Sequence, residues 1–125
     1  MRTKVPPGRE PSAWESAVLK RLIDVSEIAN DLARQIDGAR VQLIVQDDDN
    51  YGSVKLVLDD ASQPSPLGRR IVAEGEAKDI DGIPIYLLLH MVDGKLHELE
   101  IYKADGSRMV ELPVPEEFTY TRGSP

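Results

Sequence analysis

Two histidines and a group of glutamates stand close together in the second half of the chain: Glu74, Glu76, His90, His97, Glu98 and Glu100. Imidazole beside carboxylate is the material of general acid–base catalysis and of divalent-metal sites. Each use imposes a condition. A catalytic carboxylate needs a cleft that perturbs its pKa, and a metal needs three or four donors converging ~2 Å from one point. The ligand set to test is His90 with Glu74 and Glu98, which has neither an H-x-x-x-H nor an E-x-x-H spacing and offers only diagonal contact between strands. No metal, cofactor or catalytic residue is therefore expected. Phosphate loops, G-x-S-x-G elbows and dinucleotide fingerprints are missing from the sequence, and Gly68-Arg69-Arg70 is too short to cradle a phosphate.

The elements carrying these residues are marked by three Asp-Gly steps, Asp81-Gly82, Asp93-Gly94 and Asp105-Gly106, spaced twelve apart. Three-residue hairpin loops place glycine in the left-handed conformation with a G1 bulge, and each step suits that loop. The flanking pairs are then Asp79 with Ile83, Met91 with Lys95, and Lys103 with Ser107. Alternation puts Ile71, Ala73, Ala77, Ile85, Leu87, Leu89, Met91, Leu99, Ile101 and Met109 on a core face. A two-residue loop would mix glutamates into that row. His97 is expected on the core face, held by a backbone hydrogen bond.

The opposite face carries Glu74, Glu76, Tyr86, Leu88, His90, Glu98, Glu100 and Tyr102, with Lys78 and Arg108 beside them. Its expected cross-strand rows are Glu74–Leu88–Glu98 and Glu76–Tyr86–Glu100. Such a face is either the solvated side of an antiparallel sheet or an acidic patch that grips a basic protein through aromatic anchors.

Upstream, Ser12-Ala13-Trp14-Glu15 reads as a capping box. Trp14, Val18, Leu22, Val25, Ile28, Ala29, Leu32 and Ile36 follow at helical spacing, so Trp14 is expected in the core rather than against a ligand. Asp24 and Ser26 can break the helix in two, and Asp37-Gly38 ends it. RVQLIVQ at 40–46 and SVKLVL at 53–58 read as strands. Between them, DDDNYG at 47–52 matches an EF-hand at its first, third and sixth positions. It fails at the fifth, Tyr51, and at the twelfth, Leu58, so a hairpin loop is expected. Residues 59–70, with two prolines, form the longest connection.

The chain has 125 residues, no cysteine and a net charge of −7, of which residues 71–125 carry −6 with five basic and eleven acidic groups. Thiolate and disulfide chemistry are excluded. The acidic balance disfavours nucleic acid, and no segment reaches the ~18 apolar residues of a membrane helix. A cytoplasmic protein is expected.

The segment from Ile80 to Pro113, with DGIPIYLLLH, VDGKLHELEIYKADG and a terminal ELP, resembles a family of small bacterial proteins known only as a domain of unknown function. The likeness extends over roughly residues 12–115, including GARV at 38–41. It implies a bacterial, cytoplasmic, single-domain protein and transfers no catalytic residue.

The fold expected is α+β. An N-terminal helix or helix pair packs on one face of an antiparallel sheet of about six strands, the last four a meander. Residues 1–11 are expected as a flexible tail, 12–115 as the domain and 116–125 as a C-terminal tail. The function expected is a non-catalytic interaction module, immunity- or regulator-like, whose acidic sheet face meets a basic protein partner. A homodimer is compatible with it. The alternative is a small-ligand binder or hydrolase with a cleft between helix and sheet, lined by His97 and a carboxylate.

Overall fold

The computed structural model describes residues 8–44, 52–66 and 70–123. Its elements are α1 (Ala13–Val25), α2 (Ala29–Ile36), β1 (Arg40–Leu43), β2 (Val54–Val57), β3 (Ile71–Lys78), β4 (Pro84–Val92), β5 (Lys95–Lys103), a 3-10 turn (Pro115–Glu117) and β6 (Thr119–Arg122). The strands form one antiparallel sheet in the order β1-β2-β5-β4-β3-β6. The expected α+β class, with helices preceding the sheet, is what the chain adopts.

The helices begin and break as their sequence dictates. The Ser12 hydroxyl accepts from the Glu15 amide at 3.1 Å while the Glu15 carboxylate accepts from the Ser12 amide at 2.7 Å, which closes the capping box. Arg9 adds a two-pronged ion pair to that carboxylate at 2.7 and 2.9 Å. Residues 8–11, expected within a loose tail, are thereby tied down, and Arg9 also exchanges backbone hydrogen bonds with Val41. At Ser26 the chain turns extended and α1 stops. Val18, Leu19, Leu22 and Ile23 from α1 and Leu32 from α2 are buried against Val41, Val54, Leu87, Leu89, Leu99 and Ile101 of the sheet. Trp14 packs at the edge of this core as expected. Its indole donates to the Pro113 carbonyl at 2.8 Å and meets Phe118 edge-on with centroids 6.2 Å apart.

The register departs from expectation in four places, each with a local cause. The β3–β4 loop is the three-residue kind: Asp79 bonds the Ile83 carbonyl at 3.0 Å, and Gly82 has φ of 85°. The β4–β5 loop is not. Asp93 and Gly94 both have positive φ, 52° and 79°, so two residues suffice and Val92 pairs with Lys95. An extra residue in β5, His97, then restores the alternation, because Met91 faces Leu96 while His90 faces Glu98. His97 is consequently exposed, not buried on the core face, and Leu96 fills the core at 3% exposure. A second bulge in β3 does the same at Val72. Val72 and Ala73 are both buried, and Ile71 moves to the outer face opposite His90.

The third departure is at the chain's last turn. Gly106 has the expected positive φ of 74° and bonds the Lys103 carbonyl at 3.0 Å, but the chain after it does not return to pair with β5. The far edge of β5 is taken by β2, through Val54 opposite Leu99 and Lys55 opposite Glu98. The Ser53 hydroxyl extends that ladder by accepting from the Ile101 amide at 2.8 Å. Met109 therefore packs beside the core from irregular chain. The meander has three strands, β3 to β5.

The sixth strand is the fourth departure, supplied by residues expected as a C-terminal tail. β6 pairs with the free edge of β3, Gly75 opposite Tyr120. Phe118 is buried at 6% exposure, and the Tyr120 hydroxyl donates to the Pro115 carbonyl at 2.7 Å. The acidic loop tested for calcium lies outside the described residues apart from Gly52, as do residues 67–69.

Candidate functional site

All eight expected surface residues do share the outer face of the sheet, because the His97 bulge compensates for the shorter turn. Their neighbours differ from the expected rows. The strand pairs compose the rows Thr121–Glu74–Leu88–Glu100 and Thr119–Glu76–Tyr86–Tyr102. His90 stands directly opposite Glu98, with Lys55 beyond it on β2. The shift of two residues along β5 thus replaces each expected pairing partner on that strand.

The consequence is two adjacent groupings. In the first, the Tyr86 and Tyr102 rings pack against each other with centroids 5.2 Å apart and planes at 34°. With Leu88 they floor an open depression of about 570 Å³ whose rim carries Glu74, Glu76, Glu117, Lys78, Thr119 and Thr121. Glu117 and the two threonines come from the segment expected as a tail, where no strand pattern points to them. Burial pushes the Tyr102 hydroxyl pKa up, and the charges of Glu100, Tyr86 and Glu74 reinforce the shift. Tyr102 therefore keeps its proton at neutral pH, which suits a hydrogen-bond donor and not a general base.

In the second grouping His90 Nε2 lies 2.8 Å from Glu100 Oε1. The His90 side chain is 23% exposed and that of Glu100 is 37% exposed. One donor atom each from His90, Glu98 and Glu100 fall within 4.8 Å of one another. The set weighed from sequence was His90, Glu74 and Glu98. The true register takes in Glu100 instead of Glu74.

The expected alternative placed a cleft between helix and sheet, lined by His97. A depression of about 640 Å³ does lie between α1, α2 and residues 38–40, with Leu19, Ile23 and Ile36 in its floor. Neither histidine lines it, and His97 is exposed in β5.

One polar cluster was not anticipated at all. Lys103 Nζ donates to Asp79 Oδ2 at 2.9 Å, to the Arg108 carbonyl at 3.1 Å and to Asp81. Asp79 also accepts from the amides of Ile80, Val110 and Glu111 at 2.8, 2.7 and 3.0 Å. Every donor and acceptor is matched, so the cluster is a clamp joining the β3–β4 turn to the chain after β5. Its only sequence signal is a lysine at a core-facing position of β5.

No helix among the described residues is long and apolar enough to cross a membrane. Neither a curated protein nor a solved structure matches the chain significantly. One family profile does, over residues 8–113, from the Arg9 segment through the strands that build both groupings and stopping short of β6. The chain belongs to the family described as Domain of unknown function (DUF6984).

Proposed function

We propose that this domain is a non-catalytic interaction module that receives a basic protein segment on the outer face of its sheet. The observation that carries this reading is the Tyr86–Tyr102 pair ringed by carboxylates, with Leu88 at its side. Tyrosine ring faces attract a guanidinium or ammonium group by cation–π contact. Glu74, Glu76 and Glu117 supply the charge complementarity around it, and the net charge of −7 steers basic partners toward the molecule. The glutamates stand at an open rim rather than in a closed cleft, which favours binding over acid–base chemistry.

The test is a spectral titration of the amide resonances with a short arginine-rich peptide, alongside the same peptide with glutamate for arginine. Shifts should concentrate on Glu74, Glu76, Tyr86, Leu88, Tyr102 and Thr119 with the basic peptide alone. Tyr86→Ala should weaken binding, and so should salt, which screens beyond ~8 Å at physiological ionic strength. Equal responses to both peptides, or shifts scattered over the surface, would remove this face as the binding site.

A further inference from the structure

We propose that His90, Glu98 and Glu100 bind one divalent cation of the zinc class, a site beyond the basic-partner reading and independent of it. Three observations converge. The donor atoms of the three side chains already lie within 4.8 Å of one another. Zinc ligands at ~2.0–2.2 Å stand somewhat closer to each other than that, a change that rotation of two half-exposed glutamate side chains supplies. His90 and Glu100 share a hydrogen bond of 2.8 Å, and that bond needs a proton on Nε2 or on the carboxyl. A cation on Nε2 takes the place of the shared hydrogen, the imidazole keeping its one proton on Nδ1, and two carboxylates then balance its two charges.

The backbone supplies the third observation. The two bulges among the described residues fall beside the same residue: His90 is paired with Ile71 just before the extra residue Val72, and with Glu98 just after the extra residue His97. Bulges re-aim side chains. Here one brings Glu98 and Glu100 onto the imidazole's face, and the other brings the apolar Ile71 to its flank. Removing the His97 bulge would turn the rest of β5 over and place Glu98 and Glu100 in the core. The register is thus tied to the donor set.

The chemistry of the donors selects the metal. Magnesium and calcium prefer all-oxygen shells of six or more ligands. An imidazole with two carboxylates suits zinc and its transition-series neighbours, and leaves at least one coordination position open to solvent.

Calorimetric titration of the full chain with zinc chloride should give saturable binding at one site per chain, with magnesium and calcium chlorides giving none at the same concentrations. His90→Ala, Glu98→Gln and Glu100→Gln should each weaken zinc binding about ten-fold or more. Glu74→Gln makes the same charge change on the same face, and His97→Ala removes the chain's other imidazole; both should leave the affinity within about two-fold. In the unaltered protein, zinc should shift the ring resonances of His90 and leave those of His97 in place. That measurement does not depend on any variant folding. No saturable zinc binding by the folded chain would overturn the proposal. So would equal losses in Glu74→Gln or His97→Ala, which would indicate diffuse attraction or a different donor set. Failure of this site leaves the basic-peptide titration unaffected, because Tyr86, Glu74 and Glu76 take no part in it.

Discussion

Lys103 and Asp79 form an ion pair whose two side chains are sealed from solvent, at 2.9 Å, on the side of the sheet opposite the face that carries the glutamates. Burial alone would push the Asp79 carboxyl up. The amide of Val110, the ammonium of Lys103 and the amides of Glu111 and Ile80 outweigh it and hold the group well below the usual carboxylate range. Burial likewise opposes the charge on Lys103, but Asp81 and Asp79 raise its pKa. Removing one partner strands the other charge without water, the costly way to break such a pair.

The first prediction is the resulting pH dependence. A depressed folded pKa on Asp79 means stability that is present above the unfolded value of ~3.9 and lost as pH falls through the folded value. Lys103 works in the opposite sense, losing its contribution as pH rises through a folded value above ~10.4. Urea midpoints should therefore fall below about pH 4, and Asp79→Asn should flatten that acid limb while lowering the plateau. Lys103→Ala should lower the plateau more than any single change among the exposed lysines. An unchanged acid limb in Asp79→Asn would show that the clamp is not what titrates.

The second prediction ranks the three turn glycines. All have positive φ, at 85°, 79° and 74°, so alanine at Gly82 or Gly106 should cost ~1 kcal/mol from backbone strain alone. A Cβ at either of these two meets nothing within 4 Å. At Gly94 it would stand 2.4 Å from the Ser65 carbonyl oxygen and 3.0 Å from the Pro64 Cβ. Gln35 holds this junction, donating to the Gly94 carbonyl at 2.8 Å and accepting from the Leu96 amide at 2.8 Å. Gly94→Ala should thus cost about 2–4 kcal/mol, adding overpacking to strain. Equal denaturant midpoints for the three variants would contradict this packing.

These glycines mark the boundary of what the sequence could say. Their positive φ was legible, because Asp-Gly has few other uses between alternating strands. Which turn each would make was not: the Asp93 φ that shortens the second loop is a choice among local conformations of similar energy. Likewise, the period-2 pattern identified the outer face residue by residue, yet it is blind to bulges, which insert one residue and then resume the same alternation. Hence His90 was on the right face with the wrong neighbours. The insertion of β2 beside β5 and the return of β6 to β3 are long-range pairings, with no local signal in VKLV or TYTR to name a partner strand.

The third prediction checks the faces themselves. Leu87 is fully buried and packs over Gly75, whose absent side chain leaves room for it; a Cβ there would lie 3.2 Å from a Leu87 methyl. Leu88 is half-buried on the outer face. Leu87→Ala should cost about 2–5 kcal/mol and Leu88→Ala under ~1 kcal/mol. Chemical denaturation with an unchanged slope would measure both, and a reversed order would mean that the sheet is facing the other way.

The last prediction concerns the segment after Val114. From sequence alone residues 116–125 are expected as a C-terminal tail. In the fold the segment carries Phe118, buried at 6% exposure, and β6, which covers the free edge of β3. Arg21 reaches Glu116 at 3.6 Å, and Arg122 donates to the Val25 carbonyl at 3.2 Å, so the segment also fastens α1 to the sheet. Truncation after Val114 should expose the β3 edge, uncover Trp14 and leave a chain that self-associates through unpaired backbone. Phe118→Ala keeps the strand and removes only the anchor, so it should cost about 3 kcal/mol or more without aggregation. Trp14 fluorescence separates the two, since its ring meets Phe118 directly. If the truncated chain melts like the whole protein and stays monomeric, β6 is only an accessory to the sheet.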